Sequence, residues 1–268
     1  MNHKKTTELN RAAWNEALGY HQRARNNALQ EGFLRSDFTT FNRDCDDVLI
    51  KKLKSIDFVG KKIAQLPCNN GRELLSLMRF GAKAAFGFDI SDVAITEARS
   101  LAEISKLNAT FERVDILELD SRYDGFFDFI YISEGSLQWF PDLFAYFAVV
   151  ARLLKNGGEV LIFEIHPFAY FFDYGFDFEK PDINLIPSYF DKSAHSYPDG
   201  LDYVGGVRYQ AKECRWFLHK LSDIFAGLRQ NDIAILSFDE YNLEMANNTS
   251  AQFLDKFPLS YILCGKRR

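Results

Sequence analysis

The stretch Lys62–Ser91, KIAQLPCNNGRELLSLMRFGAKAAFGFDIS, constrains this chain more than any other. Ile63–Leu66 is a short apolar run, Pro67–Gly71 is turn chemistry, and Arg72–Phe80 carries Leu74, Leu75, Leu77 and Met78 at helical spacing. Ala84–Phe88 is a second apolar run and ends in Asp89. Strand, tight loop, helix and strand in that order predict a half-fold that holds a nucleotide-type cofactor. Asp89 lies 18 residues after Gly71, close to the interval at which such folds set a carboxylate against a ribose diol. A diol offers two donors, and an ionised Asp accepts both. A single acid after a strand also serves as a solvated loop residue or a helix N-cap; the βαβ setting favours ribose.

The pattern repeats downstream. Asp92–Lys106 has an apolar face of Val93, Ala94, Ala98, Leu101 and Ala102 and reads as a helix; Thr110–Val114 reads as a third strand ending at Asp115. Phe126–Ser133 is a fourth strand and Leu143–Leu154 a helix stopped by Lys155-Asn156-Gly157-Gly158; Glu159–Ile165 is a fifth strand. Strands alternating with helices of this length imply a parallel, doubly wound sheet. Trp216–Arg229 reads as a helix, and Ile233–Tyr241 and Leu259–Gly265 complete seven strands. Residues 1–55 are helical in pattern and form a cap; 56–268 form the sheet domain. From His166 to about Cys214 the periodicity fades into an aromatic, Gly/Pro-punctuated insertion, at about 167–214, too long for an ordinary connection and expected to act as a lid.

The net charge of −5 gives no electrostatic footprint for DNA or RNA. Cys45, Cys68, Cys214 and Cys264 are scattered without a CxxC pair, so no metal site or disulfide framework is expected. No apolar run reaches membrane-spanning length and the first residues, MNHKKTTELNRAAW, lack an apolar signal region, so the expectation is a cytoplasmic protein, a monomer or homodimer, without membrane partners. Aromatic content is high, with 26 Phe, 12 Tyr and 3 Trp, much of it in the later half where a pocket has to be lined.

With these elements placed, the chain from Ile63 to about Gly265 resembles the class I S-adenosylmethionine-dependent methyltransferases. The family's glycine-rich first loop aligns with Gln65-Leu66-Pro67-Cys68-Asn69-Asn70-Gly71, its ribose acid with Asp89, its adenine-proximal acid with Asp115, and its post-strand segment with Ser133-Glu134-Gly135-Ser136-Leu137. Leu153-Leu154-Lys155-Asn156-Gly157-Gly158 is similar to the family's LLKPGG turn, and Asn10-Arg11-Ala12-Ala13-Trp14-Asn15 resembles a segment of one of its groups. The resemblance implies a mostly parallel seven-stranded, Rossmann-like sheet with a final antiparallel hairpin. It implies S-adenosylmethionine as cofactor, held by Gln65, Leu66, Cys68, Asn69, Gly71, Asp89, Ile90, Asp115, Ile116, Ser133 and Glu134. The first loop departs from the family: only Gly71 remains of three glycines, and Gln65 replaces the bracing acid. Asn tolerates left-handed backbone angles, so Asn69 is expected to keep the turn open. A pyrophosphate needs close backbone approach at a helix N-terminus, whereas this cofactor has no phosphate; the departure weakens a dinucleotide reading more than a methyltransferase one.

The chemistry implied is in-line displacement of a methyl group from a sulfonium by a small-molecule acceptor. Such a reaction asks for proximity, alignment and a dry pocket, and for a general base only where the nucleophile arrives protonated. Aromatic faces exclude water and favour a cation, which makes Trp14, Tyr20, Trp139 and Tyr189 candidate pocket walls, although any single Phe or Tyr here is more often core. His166, directly after the fifth strand, and His219 are the candidate bases, with a structural, hydrogen-bonded histidine as the alternative for each. A non-catalytic cofactor-binding or regulatory protein with the same fold, and an NAD-dependent oxidoreductase, are the competing readings.

Overall fold

The computed structural model describes residues 3–43, 46–171, 188–245 and 256–268. Helices α1 (His3–Arg25), α2 (Ala28–Phe33) and α3 (Asp46–Lys54) precede the sheet. Then β1 (Lys62–Gln65), α4 (Arg72–Met78), β2 (Ala84–Asp89), α5 (Asp92–Ser105) and β3 (Ala109–Arg113) form the first half. The second half is β4 (Phe127–Ile132), α6 (Leu143–Leu153), β5 (Leu154–Ile165), α7 (Leu221–Gln230), β6 (Ile233–Tyr241) and β7 (Ser260–Arg267).

The seven strands stand in the order β3-β2-β1-β4-β5-β7-β6. Neighbours among β1–β5 pair in parallel, and β7 runs antiparallel to both β5 and β6. The expected seven-stranded sheet with an antiparallel last hairpin is therefore present. The winding reverses between β1 and β4, and a crevice opens outside the carboxyl ends of the strands at such a point.

Parallel strands covered on both faces must be apolar at successive positions. Ile63, Phe129 and Tyr131 pack toward α4 and α5, whereas Ala64, Ile130 and Ile132 pack toward α6 and α7. Each layer is built by amphipathic helices whose starts are written locally. The Ser91 hydroxyl accepts from the Ala94 amide at 3.1 Å and caps α5; the Asp142 carboxylate accepts from the Phe144 and Ala145 amides and caps α6. Truncating a core residue such as Leu75, which is fully buried, costs about 2–5 kcal/mol by cavity formation.

Two boundaries differ from the sequence expectation. The helix expected from Trp216 begins at Leu221, because Trp216 is pinned in an isolated antiparallel bridge with His195 (N to O distances of 2.8 and 3.0 Å) and is buried. The chain after α6 does not pause in a loop but enters β5 at Leu154, with Gly157 at a φ of 76° inside the extended segment. Of the expected lid, residues 172–187, including Gly175, Pro181 and Pro187, lie outside the described residues.

Candidate functional site

A cavity of about 580 Å³ lies at the carboxyl ends of the strands. Its floor is the first loop. Asn69 and Gly71 both have positive φ, 48° and 74°, which lets the chain turn from β1 into α4; the expectation for Asn69 holds. A Cβ on Gly71 would come within 2.5 Å of Phe111 and 2.9 Å of Ala98, so this position admits no side chain. Asp89, at the tip of β2, faces the cavity with its carboxylate already organised: Oδ2 accepts from the Asn69 amide at 2.8 Å and Oδ1 from the Ser91 amide at 2.9 Å. Each oxygen keeps a further lone pair for a ligand hydroxyl. Burial pushes this carboxyl up to about 6, against the opposing pull of the Ser91, Asn69 and Ile90 amides. Asp115 follows β3, and its Oδ1 accepts from the Leu117 amide at 3.0 Å. Its Oδ2 lies 2.9 Å from Nε2 of His3, at the start of α1. Ile90 and Ile116 complete this end of the wall.

At the β1–β4 junction the polar groups interlock. The Gln65 amide nitrogen donates to Glu73 at 2.9 Å and to the Ser133 hydroxyl at 3.0 Å. Arg43 donates to Glu134 and to Asp46. Burial pushes the Glu134 carboxyl up despite this Arg43 contact. The loop after β4 hangs on Glu164, which accepts from the Gly135, Leu137 and Ile165 amides at 2.6, 2.9 and 2.7 Å. Burial outweighs those three donors and carries Glu164 to about 7.

The far wall is assembled from distant segments. Trp14 of α1 meets Trp139 of the post-β4 turn edge to face at 5.3 Å, and both line the cavity. Tyr170 and Tyr197, which also line it, stack on Trp216 at 5.6 and 5.2 Å. Asn10 on the buried face of α1 pairs with the Arg215 peptide both ways, donating to its carbonyl at 2.9 Å and accepting from its amide at 2.7 Å. Arg11 and Asn15 donate to Asp92, and Asn15 accepts from the Ser91 hydroxyl, tying α1 to the start of α5.

Of the residues singled out from sequence, Asn69, Asp89, Ile90, Asp115, Ile116, Ser133, Glu134, Trp14 and Trp139 line this one cavity. Gln65 and Leu66 lie buried behind it, the Leu66 carbonyl accepting from Tyr146 at 2.6 Å. Cys68 points into the core, in the space that Gly87 leaves open, and its thiol is pushed up by burial. Tyr20 stacks on Tyr209 at 4.3 Å, and Tyr189 packs on Phe168 and Phe171; neither forms part of the wall. The two histidines are also placed behind it. His166 Nδ1 accepts from the Phe168 amide at 3.2 Å, which puts its proton on Nε2, 3.0 Å from Glu240. His219 Nε2 donates to the Phe140 carbonyl at 2.9 Å. Burial lowers both below the usual imidazole range. His3, Asn10 and Arg43 were not found from sequence: Asn10 carried a weak signal, a polar residue on an apolar helix face, whereas His3 and Arg43 carried none. Glu164 sits at the end of the fifth strand, where an acid reads from sequence as a brace for a loop or as a group that orients a histidine or binds a substrate amine, and it braces the loop after β4. Among the described residues no helix is long and apolar enough to cross a membrane, and no cluster of His, Cys, Asp and Glu is spaced to hold a metal ion.

Comparison with known proteins bears on the fold that carries this cavity. Residues 63–158 match the family described as "Methyltransferase domain". A tRNA U34 carboxymethyltransferase of Campylobacter hominis is 31% identical over 107 residues, which are 40% of this chain. The match spans only 37% of that relative's length. Among solved structures, an S-adenosylmethionine-dependent methyltransferase from Listeria monocytogenes superposes with a TM-score of 0.61 at 18% identity, covering 81% of this chain and 97% of that one. The geranyl diphosphate C-methyltransferase of Streptomyces coelicolor, solved with Mg²⁺, geranyl diphosphate and S-adenosylhomocysteine, gives 0.54 at 11% identity, covering 83% and 79%. At these identities the likenesses to solved structures show the fold.

Proposed function

Starting from a chain that carries a class I S-adenosylmethionine-dependent methyltransferase domain, we propose that it transfers the methyl group to a small, partly apolar acceptor held against the wall that Trp14 and Trp139 form. The observation that carries this reading is the continuity of one cavity, with Asp89 and Asp115 at one end and the Trp14–Trp139 pair at the other. Its volume is within the range of about 300–1,000 Å³ usual for small-molecule pockets.

The residues present fit the cofactor. Asp89 would accept from the ribose hydroxyls and Asp115 from the adenine amine, with Ile90 and Ile116 beside the ring. When bound, the sulfonium supplies an electrophilic methyl group whose charge disappears in the transition state. The chain's part is then positioning: Glu164 holds the loop that carries Trp139, and the aromatic wall excludes water from the reacting atoms. His166 and His219, each committed to a partner behind the wall, give no support to an imidazole base. An acceptor that reaches the site already nucleophilic needs none. We place the protein in the cytoplasm. The acidic net charge favours a small molecule over a nucleic acid, although the Campylobacter relative is named for a tRNA.

Melting scans with S-adenosylmethionine, S-adenosylhomocysteine and NAD test the cofactor, because a ligand stabilises by RT ln(1 + [L]/Kd). Both sulfur nucleosides should raise the melting temperature and NAD should not. Stabilisation by NAD alone would overturn the reading. Incubation with a metabolite pool should release S-adenosylhomocysteine; binding without release points to the non-catalytic alternative.

A further inference from the structure

We propose that the methyl acceptor is a small amine whose nitrogen sits in an arc of four rings, Tyr203, Trp14, Trp139 and Tyr197; this deepens the reading above and rests on it. Each ring of the arc touches the next: Tyr203 and Trp14 at 6.4 Å, Trp14 and Trp139 at 5.3 Å, and Trp139 and Tyr197 at 6.5 Å between centroids. All four line the one cavity. Trp14, Trp139 and Tyr197 are only half-buried and Tyr203 is 56% exposed, so the arc keeps ring surface open to a ligand. A ring spent on the core looks different. Trp216, which stacks on Tyr197, is 1% exposed and lies nearly parallel to Tyr197, Tyr170 and His195, at 14°, 26° and 27°.

The angles within the arc decide what it can hold. Successive rings are turned by 74°, 73° and 55°, so no adjacent pair offers the parallel faces that grip a flat acceptor. A corner of steeply turned rings suits a compact, roughly tetrahedral group, and the negative ring face favours a cation. The charged lining agrees. Among the described residues it holds the carboxylates of Asp89, Asp115, Glu134, Asp199 and Asp202, with Arg208 as its one arginine and no lysine. Asp89 and Asp115 stand at the end we assign to adenosine, and Asp202 is spent on the Gly205 and Val207 amides. Glu134 and Asp199 remain. Glu134 opens the turn that carries Trp139; Arg43, which pairs with it, is shared with Asp46. A lining of this sign disfavours a carboxylate or phosphate acceptor and accepts an amine. The amine binds as its free base. Its lone pair forms the N–C bond as the C–S pair returns to sulfur, so the positive charge that leaves sulfur arrives on nitrogen, and the product departs as an N-methylammonium with its own protons. Rings that favour this charge act most strongly as it forms.

Calorimetry on the S-adenosylhomocysteine complex tests the arc, because its sulfur is uncharged and the added nitrogen is the cation to be read. Choline, a fixed ammonium like the product, should bind about tenfold more tightly than its uncharged carbon isostere 3,3-dimethylbutan-1-ol. Phenylacetate should not displace it. Trp14→Leu and Trp139→Leu should each weaken choline by about five- to thirtyfold and leave the isostere within about twofold. A wall that had merely loosened would lose both ligands alike, which overturns the proposal. Should neither tryptophan variant fold, Tyr203→Leu, at the exposed end of the arc, gives the same comparison. If the rings serve the sulfonium instead, the variants weaken S-adenosylmethionine against S-adenosylhomocysteine and leave choline unchanged, and the amine is overturned. Equal binding of choline and its isostere, or displacement by phenylacetate, overturns it as well. Wild type that binds S-adenosylhomocysteine and gives no choline response sinks the amine alone; wild type that does not bind S-adenosylhomocysteine sinks the cofactor reading, and the amine with it.

Discussion

The two ends of the cavity are built differently. At the end we assign to adenosine, each acid is held by amides of its own or an adjacent strand loop: Asp89 by Asn69 and Ser91, Asp115 by Leu117. At the end we assign to the acceptor, Trp14, Trp139, Tyr170 and Tyr197 come from four separate segments, brought together by α1 and its pairing with the Arg215 peptide. A site organised by backbone amides within a few residues is set once the sheet forms. A site assembled across the fold depends on each distant contact, and is free to vary without disturbing the cofactor.

The largest expected break is at the adenosine end. Gly71→Ala would force a side chain onto a left-handed residue and into Phe111, at a cost of about 3 kcal/mol, read as a fall in the denaturant midpoint. Retention of full stability would mean the first loop is less rigid than its geometry implies.

Next in size is Asp89→Ala, which removes two charge-assisted bonds to the diol. At about 1.5–3 kcal/mol each, before water compensates, S-adenosylhomocysteine affinity should fall at least tenfold by calorimetry. The same carboxyl predicts a pH signature. The diol donates to the ionised form, so affinity is full above the folded value of about 6 and declines as pH falls through it, by up to about tenfold per unit for one linked proton. The free protein moves the opposite way. Because the folded value is raised from 3.8, the ligand-free fold binds the proton more tightly than the unfolded chain and loses stability as pH rises from there to about 6. Asp89→Asn should flatten both curves.

Asn10→Ala cuts the double bond between α1 and the Arg215 peptide, worth about 1–3 kcal/mol locally. Hydrogen exchange should quicken around Arg215 and across 188–214, while cofactor affinity stays within about threefold; an equal loss at both ends would erase the contrast drawn above. Exchange in the wild type with and without cofactor tests the lid, whose described part should gain protection on binding. The smallest effect is expected at His3→Ala. Its imidazole holds one oxygen of Asp115, so removal should raise adenosine-ligand affinity by a few-fold at most, and a loss would make His3 part of the adenine site.

Much of the Asp89 end of the cavity was legible because its signals are local. Hydrophobic periodicity placed β1, α4 and β2, turn chemistry placed Asn69 and Gly71, and spacing placed Asp89. Cys68 and Leu66 share that loop yet point into the core on opposite faces of the sheet, Cys68 into the room that Gly87 leaves beside Phe111 and Leu66 into the layer under α6, a choice not made by the motif. The residues before Leu221 have helical composition, but His195 captures Trp216 in an antiparallel bridge and tertiary pairing overrides propensity.

The chain's own order of apolar runs, turns and acids thus determined the sheet, its switch point and the two carboxylates at its edge, because strands and tight turns are specified by residues next to one another. Only the tertiary structure decided that His3 meets Asp115, that Asn10 pairs with residue 215, and that Trp14 meets Trp139. Those groups are brought together by the packing of α1 across the sheet edge. No local period encodes a contact between residues 112 or 205 positions apart.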